Sequence, residues 1–299
     1  AIIAITHPSF FNGAAIDSTL QLAVPYTLLA IASAFLIMMG QLDLSIGASA
    51  SLVVVICALL ISHGMAPWIA ALLGIGVGVG LGLVNAFLVE IIGIGALLAT
   101  LATQYAYGGL ANGLANGAPV VFNNTNDSYF KFFGGSWLGV PNIAWLTLVV
   151  IVAFTVVLRY TRFGYRVRSI GSNPEAAQFS GISISRVKTQ AFVLAGLLAA
   201  IAAIFELGVE QTGDPSLGSD WVLIAIASAI IGGTPMRGGS GTIIGAALGA
   251  ILISAVESSL LYFSVPDQWN GFALGVVIVV AMTIDAIVRR RTRGRALLQ

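Results

Sequence analysis

Apolar runs long enough to cross a lipid bilayer follow one another along this chain, separated by short polar loops. A helix crossing the hydrocarbon needs about 20 mostly apolar residues at 1.5 Å each. Such runs lie at residues 20–39, 48–62, 68–89, 96–116, 143–158, 190–208, 221–232, 243–263 and 271–288, with a further apolar end at 1–6. They predict about ten crossings. Charged residues make up only 8% of the chain against 58% hydrophobic ones, with a mean hydropathy of +0.99. That balance supplies too little charge to solvate a globular surface and too much apolar surface to bury in its core. A soluble enzyme, a nucleic-acid binder and a disordered chain are excluded. The alternation of outer-membrane strands is absent, so the expected fold class is an all-α, polytopic helical bundle with Gly-broken segments.

The basic residues set the orientation. Six lie within 159–188, five within 289–295, and only Lys131 and Arg237 fall elsewhere. The excess of Lys and Arg on cytoplasmic loops places 159–188 and the C-terminus in the cytoplasm. Arg237 then falls on an inner loop as well, and the polar stretches 117–141 and 206–220 fall outside. The triplets Asn123-Asn124-Thr125 and Asn126-Asp127-Ser128 match glycosylation sequons, which are common by chance. One cysteine, Cys57, excludes a disulfide framework or a multi-Cys metal site, and two histidines, His7 and His63, exclude a His-rich one. No metal or cofactor is expected. No linker breaks the chain, so residues 1–299 are read as one transmembrane domain whose first helix is expected to begin before Ala1. Gly74, Gly76, Gly78, Gly80 and Gly82 form two small-residue ridges on one helix that suit close helix packing.

Within 159–188, the residues Gly171-Ser172-Asn173-Pro174-Glu175-Ala176-Ala177-Gln178-Phe179-Ser180-Gly181-Ile182 predict a short, bounded helix. Asn173 suits the N-cap, and Pro174 suits the first helical position because its missing N–H would be unpaired there. Glu175 complements the positive end of the dipole, and Gly181 can take the left-handed conformation past the C-terminus. Arg162, Arg166, Arg168, Arg186 and Lys188 flank this rod of about two turns. Two readings fit these residues alone: a surface helix held to anionic lipid by its arginines, or a rigid knob offered to a cytoplasmic protein.

Gly-x-Asn-Pro-Glu-Ala-Ala-x-x-Ser-Gly-Ile after Arg162-Phe163-Gly164 resembles the cytoplasmic loop of ABC-importer permeases of the ribose and monosaccharide class. Two more stretches agree in order along the chain: Gly40-Gln41-Leu42-Asp43-Leu44-Ser45-Ile46-Gly47, and Gly232 to Gly241 followed by Gly245 and Gly249. Gln41 and the Gly95-Ala96 pair depart from the family pattern. The resemblance implies a permease subunit of a bacterial ATP-driven importer in the inner membrane, carrying a sugar or sugar-like solute. It implies three partners besides the bilayer: a cytoplasmic ATPase subunit, a second permease copy or paralogue, and a periplasmic solute-binding protein. Asn173, Pro174, Glu175, Ala176, Ala177, Ser180 and Gly181 then become the ATPase-coupling residues.

Three further features are read from the residues. Gly40, Asp43, Ser45 and Gly47 in one break, and Gly233, Gly238 and Gly239 in another, interrupt apolar runs with glycine and polar groups. Paired Gly-interrupted segments point to a transport site, here a gate; ordinary inner loops outside the hydrocarbon fit the same residues. On the helix 96–116, Thr100, Thr103, Gln104 and Tyr107 share one face, with Asn112 toward the outer end, so they can line a path for a hydroxyl-rich solute or act as interhelical glue. No Gly-x-x-x-x-Gly-Lys-Ser/Thr occurs, so this chain holds no P-loop ATP site. Two other classes fit parts of the sequence. An ion-coupled carrier would use Asp43 or Glu257 as its intramembrane carboxylate. A membrane serine protease would use Ser240 in Gly238-Gly239-Ser240-Gly241 with His7 or His63.

Overall fold

The structure, a computed structural model, describes residues 13–122 and 127–262 and a scatter of positions between 269 and 283. The apolar end 1–6, the first sequon, His7, Asp285, the basic run 289–295 and most of 271–288 lie outside the described residues. In chain order the elements are α1 Gly13–Met38, α2 Ile46–Ser62, α3 Pro67–Glu90, α4 Ala96–Leu114, β1 Val120–Val121 and α5 Ser128–Phe133. They continue as β2 Ser136–Trp137, β3 Val140–Pro141, α6 Asn142–Tyr160, α7 Arg162–Ser172 and α8 Pro174–Phe179. The last are α9 Ile184–Glu210, β4 Thr212–Gly213, α10 Trp221–Ile231 and α11 Ile243–Tyr262.

Among the described residues five helices, α1, α3, α6, α9 and α11, are both long and apolar enough to cross a membrane. Helix α4 has 19 residues, which is length enough, but its threonines, Gln104 and Asn112 dilute its hydropathy. Helix α10, expected over 221–232 as a crossing, has 11 residues and spans about 16 Å, half of the hydrocarbon. The segment before it supplies the rest. Gly213 packs on Ala58 and Val54 of α2, and the Gly218 amide donates to Ser51 Oγ at 2.9 Å, so this segment runs down α2 before α10 begins. Among the described residues the bundle also carries four two-residue strands in two antiparallel pairs, β1 with β4 and β2 with β3. The stretch they close is pinned by aromatic rings: Tyr129 of α5 packs on Trp68 and Phe133, and its hydroxyl donates to Ile204 O at 2.6 Å.

Of these five helices, α1 and α9 bury the largest share of their apolar span, because each packs on several others. Of the two glycine ridges on α3, only Gly74, Gly78 and Gly82 are packed. A Cβ on Gly78 would strike Ala200 Cβ and the Gly196 carbonyl of α9, whereas Gly76 and Gly80 face open space. The close α3–α9 approach therefore uses one ridge, as expected where backbones meet without side chains between them. Helices α3 and α6 turn most of their surface outward, with exposed Leu72, Leu83, Phe87, Val149 and Val152 suited to contact hydrocarbon.

Candidate functional site

The first break follows α1. Gly40 adopts φ +70°, which reverses the chain without the steric penalty a side chain would meet, and the backbone then runs without regular structure, through a bend at Leu44, to Ser45. Asp43 is 4% exposed and accepts from the Ser45 amide at 2.8 Å and from Ser45 Oγ at 2.7 Å. From α3, Asn85 Nδ2 donates to Ser45 Oγ at 2.7 Å and to Asp43 Oδ2 at 3.3 Å. From α4, the Tyr107 hydroxyl donates to Asn85 Oδ1 at 3.2 Å, and Thr100 Oγ1 accepts from the Leu44 amide at 3.1 Å. Among the described residues no cation pairs with Asp43. Its oxygens are satisfied by hydrogen-bond donors alone, the arrangement a buried carboxyl group needs when no counter-ion is present.

This network joins residues expected in two separate roles. Asp43 and Ser45, read as a gate, are bonded through Asn85 to Tyr107, and Leu44 between them is bonded to Thr100; both Tyr107 and Thr100 were read as path residues. Thr100, Thr103 and Tyr107 are buried against the subunit's own helices, while Gln104 is half-buried and Asn112 is exposed on the outer surface of α4. The expected single face is thus divided: three members hold α4 in place and two look outward. Asn85, 1% exposed, is the hub and was not singled out from the sequence. Its signal was legible, since it is the one amide in the apolar run 68–89 and a lone amide there must find partners.

A second segment copies the first. Asp214-Pro215-Ser216-Leu217-Gly218 repeats the Asp-x-Ser-x-Gly spacing of Asp43–Gly47, and Asp214 Oδ1 accepts from the Ser216 amide at 2.8 Å and Ser216 Oγ at 2.7 Å. The two segments approach α2 from opposite ends and meet where Gly47 lies against Gly218. A cavity of about 330 Å³ opens beside the second segment, lined by Gln21, Tyr26, Glu206, Glu210, Asp214 and Trp221. A cavity of about 540 Å³ opens beside the first, at Gly40–Leu42, where Lys188 Nζ lies 3.6 Å from Glu90 Oε1.

The second glycine break, after α10, has Gly233, Gly238 and Gly239 at φ +96°, +79° and +80°. The Gly239 amide donates to Met38 O at 2.8 Å, and a Cβ on Gly171 would strike Met38 O and the Gly239 backbone. The end of α1, the end of α7 and this break therefore meet as bare backbone. Ser240 is exposed at this end, whereas His63 lies at the far end of α2, bonded to Leu59 O and Ser62 Oγ, so Ser240 is not paired with it.

In the loop 159–188, Asn173 Oδ1 accepts from the Ala176 amide at 3.0 Å, Pro174 begins α8, and Gly181 takes φ +80°. Of the expected coupling residues, Glu175, Ala176 and Ser180 are exposed, whereas Ala177 is buried against the bundle. The stretch before Asn173, expected as arginine-bearing flank, is itself the helix α7, with Val167 and Ile170 inward and Arg162 and Arg166 outward. Phe179, not foreseen, is 92% exposed at the tip of α8.

Comparison with known proteins bears on these features together. The ribose import permease protein RbsC of Bacillus subtilis strain 168 is 34% identical over 284 residues, covering 95% of this chain and 88% of that protein. The L-arabinose transport system permease protein AraH of Escherichia coli strain K12 is 31% identical, covering 87% of this chain and 78% of that protein. The solved structure of PsaBC from Streptococcus pneumoniae in complex with Fab shares the fold with a TM-score of 0.55 at 15% identity, over 95% of this chain and 93% of that one. The family described as branched-chain amino acid transport system permease component matches residues 15–282, a span that takes in both Asp-x-Ser-x-Gly turns, the loop carrying α7 and α8, and the glycine break after α10, and the chain belongs to that family.

Proposed function

We propose that this multi-pass membrane protein is the permease subunit of a bacterial ABC importer and moves a sugar or sugar-like solute through the inner membrane. The observation that carries this is the near full-length similarity to permeases named for two sugars, ribose and L-arabinose. The chain supplies the path, and ATP is hydrolysed by a separate subunit. A periplasmic binding protein delivers the solute, and the C-terminus is cytoplasmic.

Within one membrane domain, the loop 159–188 is the coupling element. Its support is local: a helix capped by Asn173 and closed by Gly181 is stiff, and exposed Phe179 offers a partner an apolar anchor. Gln104, Gly108 and Asn112 on the outward side of α4 suit a path shared with a second permease copy. Polar and small groups on a surface otherwise faced with Leu97, Leu101 and Leu110 are better matched to water or a partner than to lipid. The Asp43–Asn85–Tyr107 network and the backbone junction of Gly171, Gly239 and Met38 form the gate region, because they tie the break to α3, α4 and α7.

The test is uptake into proteoliposomes holding this chain, its ATPase and its binding protein, with labelled ribose, L-arabinose and leucine. ATP-dependent import of a sugar but not of leucine is expected. Uptake that persists without ATP and collapses when the membrane potential is removed would replace this reading with an ion-coupled carrier.

A further inference from the structure

A cavity of about 170 Å³ lies where α6 ends, between α7 and the start of α11, and shares no lining residue with the network around Asp43. Arg159 and Arg168 line it together with Thr242, Ile243 and Ile244. Among the described residues no carboxylate pairs with either guanidinium. Arg168 donates from Nη2 to the Leu158 carbonyl, but its Nε is buried with no hydrogen-bond partner. On the other wall, Thr242 Oγ1 caps the Gly245 amide at 3.0 Å. Helix geometry leaves the Ile243 and Ile244 amides without intrahelical acceptors at the positive end of a 20-residue dipole. Two positive side chains, an unsatisfied buried N–H and free helix amides converge on one small space. Such a set is matched by a phosphate diester.

The surroundings identify which phosphate. Beyond the cavity, α6 bears exposed Val152 and Val156 and α11 exposed Ile244 and Leu248, side chains that would wall a crevice between the two helices. Further along, Leu148 and Ile151 of α6 and Ile251 of α11, with Leu20, Ala23 and Val24 of α1, line a second, apolar cavity of about 230 Å³. Eight residues of α6 separate Arg159 from Ile151, about 12 Å along the axis, within the roughly 15 Å reach of one leaflet's hydrocarbon. We infer that this crevice binds one anionic phospholipid of the cytoplasmic leaflet, its phosphate on Arg159, Arg168 and the α11 N-terminus and an acyl chain between α6 and α11. The inference rests on the chain being read as a membrane permease with 159–188 inside, but not on the identity of its solute.

Native mass spectrometry of the delipidated full chain, titrated with phosphatidylglycerol, tests it without any transport readout. One phosphatidylglycerol should be retained more tightly than phosphatidylcholine with the same acyl chains. Arg159→Gln should weaken retention about fivefold, the scale of one interfacial arginine. Arg168→Gln removes the bond to Leu158 as well, so Arg159→Gln carries the result, with Ile244→Glu as a second variant that sets a carboxylate at the mouth. Arg166→Gln, exposed on α7 and away from the cavity, should change nothing. Equal retention of both lipids, or wild-type retention by Arg159→Gln and Ile244→Glu, would overturn the inference. Binding of inorganic phosphate or glycerol phosphate as tight as phosphatidylglycerol would also overturn it, by showing a site for a free anion.

Discussion

Gly47 and Gly218 exclude a side chain from one another: a Cβ on either would drive into the carbonyl oxygen of the other. They are the last residues of the two Asp-x-Ser-x-Gly turns, so the contact locks the start of α2 to the segment that leads into α10. No redistribution of side chains can relieve a clash with backbone on both sides.

Gly218→Val should therefore destabilise the protein by about 3 kcal/mol, the upper range for overpacking. A paired control sits on α3. Gly78→Ala should lower the melting temperature of the purified protein, because its Cβ meets Ala200 and Gly196 of α9. Gly80→Ala, facing open space, should leave it unchanged or raise it slightly, since alanine is the better helix former by about 0.5–1 kcal/mol. Equal melting temperatures for the two alanine variants would contradict this packing.

At the buried network, Asp43→Ala strips the acceptor from the Ser45 amide, Ser45 Oγ and Asn85 Nδ2. Buried donors left unmet cost about 1–3 kcal/mol each, so this variant should express poorly. Asp43→Asn keeps an oxygen for Ser45 but sets an N–H group against Asn85 Nδ2. It should assemble and yet import more slowly, measured as initial uptake rate in proteoliposomes. Wild-type uptake by Asp43→Asn would reduce the network to a connector.

The two sides of α4 should differ to a thiol reagent. In a Cys57→Ala background, cysteines at Gln104, Gly108 and Asn112 should label rapidly with a water-soluble maleimide, and those at Thr103 and Tyr107 slowly. Substrate-loaded binding protein should alter the first set only. Uniform protection along α4 in an actively transporting protein would remove it from the path.

Coupling has its own variants. Ala176→Trp and Phe179→Ala change the exposed surface of α8, and Gly181→Val forces a β-branched residue toward φ +80°. Each should reduce co-purification with the ATPase subunit and the ATPase stimulation by loaded binding protein, while the bundle stays folded. Ala177→Trp should instead damage the loop itself, because Ala177 is buried. Full complex and full stimulation in all three surface variants would show that α8 is not where the ATPase docks.

Much of this protein is determined by its sequence alone, because the forces involved are local or compositional. Apolar length and scarce charge require membrane-crossing helices, and backbone groups in hydrocarbon must be satisfied within them. The capped helix at Asn173–Gly181 was legible for the same reason: a cap, a first-position proline and a left-handed glycine act within one turn. What only the tertiary structure decided depends on contacts between distant segments. The half-length of α10 could not be read from hydropathy, since the segment completing it is shielded by α2 rather than by its own apolarity. The inward turn of Thr100, Thr103 and Tyr107, the burial of Ala177, and the choice of Gly78 over Gly80 follow from which neighbour lies alongside, and periodicity gives a face without naming what it faces. Asp43 and Asn85 are 42 residues apart, and an isolated polar residue in an apolar run announces that it needs a partner, while only the packing of helices on one another selects which.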